Sequence, residues 1–234
     1  MINNIEKLLK SNPYPGRGII LGRSEDSLRA VMLYFIMGRS ENSRNRVFER
    51  TSDGIKTKAL DPDKLTDPSL VIYHPVRVFR GLTIITNGDQ TDTILEFISA
   101  GQDFENALKT REYEPDAPNY TPRISGLVKE DGKYTLSILK TATGNPTCCL
   151  RGLFEYSAAV PGLGHFISTY KTDGNPLPSF DGEPIPIKIA VADGLEIFAN
   201  NVWNALDDEN KVSLYARETI IESGKSFEII INKN

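Results

Sequence analysis

The chain has 234 residues, 39% of them hydrophobic and 25% charged, with a formal net charge of −4. That supplies enough apolar material for a sizeable core, and the negative balance argues against broad electrostatic binding of nucleic acid or an acidic membrane, although one local pocket can still hold a small anion. No apolar run approaches the roughly 20 residues of a membrane span, and the opening MINNIEKLLKSNPYPG has neither a long signal core nor a small-residue cleavage site, so no export is expected.

Taken in chain order, a short helix is predicted near Ile5 to Leu9, followed by apolar strands at GIIL, AVMLYFIM, LVIY, VRVF and LTIIT. Two helices follow, TDTILEFISAG and DFENALKTREY, with Gly101 closing the first and Asp103 capping the second. Strands YTLSIL, CCLRGLF and IKIAVA come next, then the helix GLEIFANNVWNALDD, then strands VSLYARE and FEIIIN. In that last helix Ile197, Val202 and Leu206 share an inner face with Phe198 and Trp203, which reads as core. Sheets this apolar must bury a face, which points to two packed sheets with helices outside. The stretch DGNPLPSFDGEPIPIK reads as a long ordered loop, a common place for function. The only cysteines, Cys148 and Cys149, are adjacent and read as two small strand residues in a reducing, cytoplasmic setting.

LTIITNGDQTDTILEF admits two readings. Asn-Gly after a β-branched run is a hairpin signal, but Ile94, Leu95, Phe97 and Ile98 recur at helical spacing and Thr91 or Asp89 is a natural N-cap. The strand–loop–helix reading is preferred, which makes Asn87, Gly88 and Thr91 candidate anion ligands. Asp89 and Asp92 cut the other way, because they complement the helix dipole themselves.

A second signal is arginine. Gly22-Arg23-Ser24 and Gly38-Arg39-Ser40 each end an apolar strand, and Arg44, Arg46 and Arg50 follow the second. Guanidinium groups suit bidentate phosphate binding. A third is TREYEPDAPNYTPRISG, where Tyr113 and Glu114 are read as closing a helix, a place where carboxylates oppose the dipole and so hint at a site. Tyr73 and His74 stand before Pro75 between two apolar runs. His74 and His165 are in no metal-ligand spacing and read as packing or loop residues. PGLGHF lacks the strand and helix that a dinucleotide fingerprint needs.

These motifs together resemble the archaeal-type IMP cyclohydrolase family. GRSEDS and GRSENSRNR match a Ser-Arg-Ser…Asn-Arg pattern, DPSLVIYHPVRV an Asn-Pro…Tyr pattern, TNGDQTDTI a Ser-Asn-Gly-x-His-Thr-Asp-Thr-Ile pattern, and YEPDAPNYTPRI a Tyr-Glu-x-Asp…Asn-Thr-Pro-Arg-Ile pattern, with ISTY further on. The likeness covers about Gly18 to Gly126, weakens around His165 to Tyr170, and does not extend beyond. Departures are Gln90 where the family has His, an inserted Tyr120, and extra length at both ends.

The resemblance implies one domain over 1–234, with a short N-terminal extension of about 1–16. Its fold would be a four-layer αββα sandwich of two mainly antiparallel sheets, like the N-terminal-nucleophile hydrolases, without their terminal nucleophile. The chain's Met-Ile start likewise disfavours that chemistry. The implied reaction closes 5-formamidoimidazole-4-carboxamide ribonucleotide to IMP in purine biosynthesis, with no metal or organic cofactor. The implied catalytic residues are Arg46, Tyr73 and Glu114, with the acid and base roles of Tyr73 and Glu114 interchangeable. Arg23, Arg39, Asn87 and Arg123 are expected to hold phosphate and base, together with Gly88 and Thr91. The expected partner is a purine ribonucleotide, with neither nucleic acid nor membrane, in a cytoplasmic homo-oligomer. A nucleotide-binding protein without the reaction, and an amide or formyl hydrolase on the same fold, are the alternatives.

Overall fold

A computed structural model describes residues 1–65, 68 and 70–233. Its strands form two sheets, antiparallel at every strand pairing. The first joins β1 (Arg17–Arg23), β2 (Arg29–Met37), β10 (Leu163–Ser168), β11 (Ile185–Lys188), β12 (Lys211–Ile220) and β13 (Ser226–Asn232) in the order β11-β10-β1-β2-β12-β13. The second runs in sequence order through β3 (Val47–Thr51), β4 (Gly54–Lys58), β5 (Val76–Phe79), β6 (Leu82–Thr86), β7 (Arg123–Val128), β8 (Tyr134–Ala142) and β9 (Asn145–Glu155).

The strand β2 explains the layering. All but its first residue are buried, because successive side chains point to opposite faces and both faces are covered. Val31, Leu33 and Phe35 meet helices α1 (Ile5–Lys10) and α5 (Leu195–Ala205), while Met32, Tyr34 and Ile36 meet Ile55, Val76, Ile85 and Ile138 across the sheet interface. On the far side, α3 (Gln90–Ser99) and α4 (Phe104–Lys109) cover Ile84, Leu127 and Leu139 of the second sheet. The result is the expected four layers, αββα. Leu33 is completely buried, and truncating it to Ala removes about 2–5 kcal/mol of stability. The helix α1 belongs to this core, since Ile5 and Leu9 are packed into it.

Tight connections follow local chemistry. Arg80 and Gly81, both at positive φ, make the two-residue turn between β5 and β6, the geometry that matches strand twist. Asp103 accepts a hydrogen bond from Asn106 N at 2.7 Å and caps α4, and Gly101 at φ +78° ends α3 as expected. No helix among the described residues is long and apolar enough to cross a membrane.

Several expectations need correction. LVIY is no strand: Val71 and Ile72 N–H both donate to Pro68 O, closing a local turn in place of a ladder. Asp67 and Ser69 of that motif lie outside the described residues. DFENALKTREY is helical only to Lys109, so Tyr113 and Glu114 stand in irregular chain beyond it. IKIAVA continues as a strand only to Lys188. Ile197 points outward at 50% exposure, while Phe198, Val202 and Leu206 are buried. Cys148 and Cys149 do lie in β9, but Cys148 is exposed. The strands β3, β4, β7 and β10 and the short helix α2 (Glu41–Arg44) were not anticipated.

Candidate active site

The site gathers where β1 begins and β2 ends, which the hairpin register fixes by pairing Arg17 with Ile36. Beyond β2 the chain turns through Gly38 and Arg39. Ser40 caps α2 by accepting from Ser43 N at 3.1 Å. Asn45 then locks the segment, donating to Asp61 O and accepting from Asp61 N, each at 2.7 Å. This delivers Arg46 into the interior. It is 1% exposed, and among the described residues its Nε, Nη1 and Nη2 all lack a hydrogen-bond partner. Burial, and after it the nearby charge of Arg17, make this guanidinium less basic than usual. An unpaired buried cation is costly, so the fold carries it at the expense of stability.

Tyr73 is held by its backbone. Its N–H donates to Thr57 Oγ1 at 2.8 Å, and its carbonyl accepts from Thr57 N at 2.8 Å and Thr57 Oγ1 at 3.1 Å. Its hydroxyl lies 2.9 Å from that of Tyr34, in a buried pair. Burial, then Tyr73 itself, push the Tyr34 hydroxyl well above the ordinary phenol range, so it stays neutral.

Glu114 is fixed by a compact loop. Its N–H donates to Thr121 O at 2.9 Å, and Asp116 accepts from Thr121 N at 2.6 Å. The carboxylate is buried, with Oε1 unpartnered. Burial pushes its pKa up to about 7, against the pull of Arg17, Arg123 and Arg46 and with a small upward push from Asp116. A carboxyl poised near neutrality can both take and return a proton.

A cleft of about 260 Å³ opens here, lined by Tyr14, Arg17, Arg39, Ser40, Glu114 and Tyr170 among others, near the lower size limit of small-molecule sites. Tyr14 and Tyr170 stack at 5.9 Å, and Tyr170 shares a 2.6 Å hydrogen bond with Thr121. At the mouth, Arg39 lies over Tyr14 at 5.1 Å and donates to Asp173 at 2.6 Å and Gly174 O at 3.1 Å. The long loop noted in the sequence thus closes one wall. Arg46 and Tyr73 do not line this cleft themselves. Arg17 links the two parts: burial opposes its charge, but the Glu114 carboxylate in the same cleft holds it protonated, and it in turn depresses Arg46.

Arg17 went unnoticed in the sequence. Its one available signal was a charged residue opening a strand whose other positions are nearly all apolar or glycine.

The remaining expected ligands divide. Gly88 and Arg123 adjoin the site: a Cβ at position 88 would lie 2.5 Å from Arg123 Nη1, 2.7 Å from Gln90 Oε1 and 3.6 Å from Glu114 Oε1, so a side chain here would displace the Arg123–Gln90 pair. Asn87, Thr91 and Arg123 spend their polar groups inside the protein. Asn87 donates to Pro122 O at 2.9 Å and accepts from Ile124 N at 2.8 Å, and Thr91 bonds Thr86. Arg123 donates to Asp89 at 2.6 Å and to Gln90 Oε1 at 2.7 Å, so Gln90, where the family pattern has His, orients a site arginine. Asp89, also held by Arg111, supplies the negative charge at the α3 N-terminus that a bound anion would otherwise supply.

Arg23 does not join the site. It lies at the far end of β1, about 20 Å from Arg17 at the usual strand rise, and donates to Ser27 O and Asp131 O. The two Gly-Arg-Ser segments therefore face opposite ends of one hairpin. Arg44 and Arg50 are likewise engaged elsewhere, with Gly38 O and Asn210, and with Glu228.

Chemically, the ensemble offers a near-neutral carboxyl, two buried guanidinium groups and a paired phenol, a set suited to moving protons around a developing oxyanion. A family model described as IMP cyclohydrolase-like protein matches residues 14–223. The chain belongs to the IMP cyclohydrolase-like family. Among curated relatives, the IMP cyclohydrolase of Methanosphaera stadtmanae is 28% identical over 162 residues, covering 68% of this chain and 74% of its own. That of Methanocella arvoryzae is 28% identical over 156 residues, covering 61% and 74%, and one from Methanococcus maripaludis is 31% identical over 126 residues, covering 52% and 61%.

Proposed function

We propose that this chain is an IMP cyclohydrolase, closing 5-formamidoimidazole-4-carboxamide ribonucleotide to IMP with loss of water. The observation that carries this is Glu114, a buried cleft carboxyl raised to about 7 between guanidinium groups, in a chain of this family.

The substrate's carboxamide nitrogen and formyl carbon belong to one molecule, so holding it folded makes the attack unimolecular and supplies much of the rate. The nitrogen attacks the formyl carbon, forming the N–C bond, and gives a proton to Glu114. The reacting end of the substrate passes inward from the cleft beyond Arg17, where Arg46 stabilises charge on the former formyl oxygen and Tyr73, backed by Tyr34, donates the proton that makes it a hydroxyl. That hydroxyl then leaves as water while the former formamide nitrogen gives its proton back to the Tyr73 oxygen and the C=N bond forms. Glu114 returns its proton in this second half, and the net change is one water lost. Arg39 and Ser40 at the mouth take the phosphate, where an exposed guanidinium can trade Asp173 for a dianion. Gly88 and Arg123 hold the wall around Glu114. The reading puts the enzyme in the cytoplasm, and a homo-oligomer is its expected form.

The test is product identity. Pure protein incubated with the formylated ribotide should yield IMP by its ultraviolet spectrum. Release of formate instead would make it a hydrolase, and binding of IMP without conversion would make it an idle nucleotide-binding protein.

A further inference from the structure

Arg17 and Glu114 are opposite charges in one cleft, yet among the described residues no ion pair or hydrogen bond joins them. Both are buried, at 8% and 2% exposure, and each has an atom with no partner among the described residues, Arg17 Nε and Glu114 Oε1. Buried opposite charges that stop short of contact leave a gap that favours a group able to satisfy both. A phosphate or carboxylate would suit Arg17 but be repelled by Glu114. An ammonium would suit Glu114 but be repelled by Arg17 and by the nearby charge of Arg46. A primary amide presents an acceptor oxygen and donor hydrogens in one plane, and so fits both.

We propose that Arg17 and Glu114 clamp the substrate's carboxamide, its carbonyl oxygen accepting from the Arg17 guanidinium and its NH2 donating to the Glu114 carboxylate. The inference rests on the cyclohydrolase reading and adds a catalytic residue to it. As the nitrogen gives up its proton, negative charge spreads onto the carbonyl oxygen, where Arg17 stabilises it. The clamp also aims the nitrogen, since only one amide orientation satisfies both jaws.

The experiment compares two unreactive ribotides by calorimetric titration: 5-aminoimidazole ribonucleotide bearing the 4-carboxamide, and the same ribotide without it. Arg17→Gln should weaken the carboxamide ribotide about tenfold to a hundredfold, the range for a hydrogen bond to a charged group, and leave the other within about twofold. It should also move the acidic limb of kcat/KM upward in pH, because Arg17 is the charge that most lowers Glu114, an effect a merely structural arginine would not have. Should the Gln variant fail to fold, Arg17→Lys keeps the charge but not the planar fork and should produce the same selectivity at smaller amplitude. Equal loss for both ribotides, or none for either, overturns the clamp. If the unsubstituted protein converts substrate but binds both ribotides equally, the clamp fails and the cyclohydrolase reading stands. If it binds neither, both fall.

Discussion

The hydroxyls of Tyr34 and Tyr73, 39 positions apart in sequence, lie 2.9 Å from one another in the sheet interface. Each is the other's only hydrogen-bond partner among the described residues, so removing one strands the other. Tyr73→Phe should cost about 1–3 kcal/mol of stability and lower turnover about a hundredfold or more. Tyr34→Phe/Tyr73→Phe should regain much of the stability and none of the turnover. Urea unfolding of the four proteins in a cycle measures the coupling, and additive losses would mean the pair is not a unit.

Arg46 gives the opposite trade. Its three guanidinium nitrogens are buried and have no partner among the described residues, so Arg46→Met should raise stability by about 1–3 kcal/mol while abolishing turnover. Arg46→Lys should also fail catalytically, because an ammonium cannot reproduce the planar fork. Denaturation midpoints and initial rates decide it. A destabilised Met variant would mean the guanidinium has partners the fold relies on.

Glu114 sets a pH dependence in two observables. As the base it must be ionised in the free enzyme, so kcat/KM should rise with pH and level off above about 7. Its folded pKa lies above the ordinary 4.5, so its contribution to stability is full below 4.5 and is lost as pH rises through about 7, by about 3 kcal/mol. Glu114→Gln should remove that decline. An activity profile flat from pH 6 to 8, the range that brackets a carboxyl tuned to about 7, would take Glu114 out of the proton path.

His165 contributes with the other sign. Burial lowers its pKa to about 4, with Nδ1 bonded to Tyr134 Oη at 2.7 Å and its ring stacked on Tyr156. The depressed value means stability present above pH 6.5 and lost as pH falls through about 4. Because Glu114 acts oppositely in the same window, the readout is the difference in unfolding free energy between wild type and His165→Gln across that range. A difference constant with pH would contradict the assignment.

Much of the architecture could be read from alternation and punctuation. The strand β2 was evident because both of its faces are buried, and the strand–loop–helix at Asn87 because its apolar spacing switches from two to nearly four. The strands β3 and β4 interleave charged and polar residues with their few apolar ones, and β7 is broken by Ser125-Gly126, so none of the three offered a continuous apolar run. Arg46, Tyr73 and Glu114 were nominated as catalytic by family likeness alone, since nothing local distinguishes a buried guanidinium from a solvated one. Arg23 misled because the tripeptide it shares with Arg39 says nothing about which end of a hairpin it occupies. Arg17 opens a strand with no local mark of function, and it stands out only once the fold sets it in one cleft with Glu114 and Tyr170.

The most direct test of the central claim pairs turnover with binding in a single substitution. Glu114→Gln should bind IMP within a few-fold of the unsubstituted protein yet form IMP from the formylated ribotide about a hundredfold or more slower. Turnover near the unsubstituted rate in that variant would contradict the account.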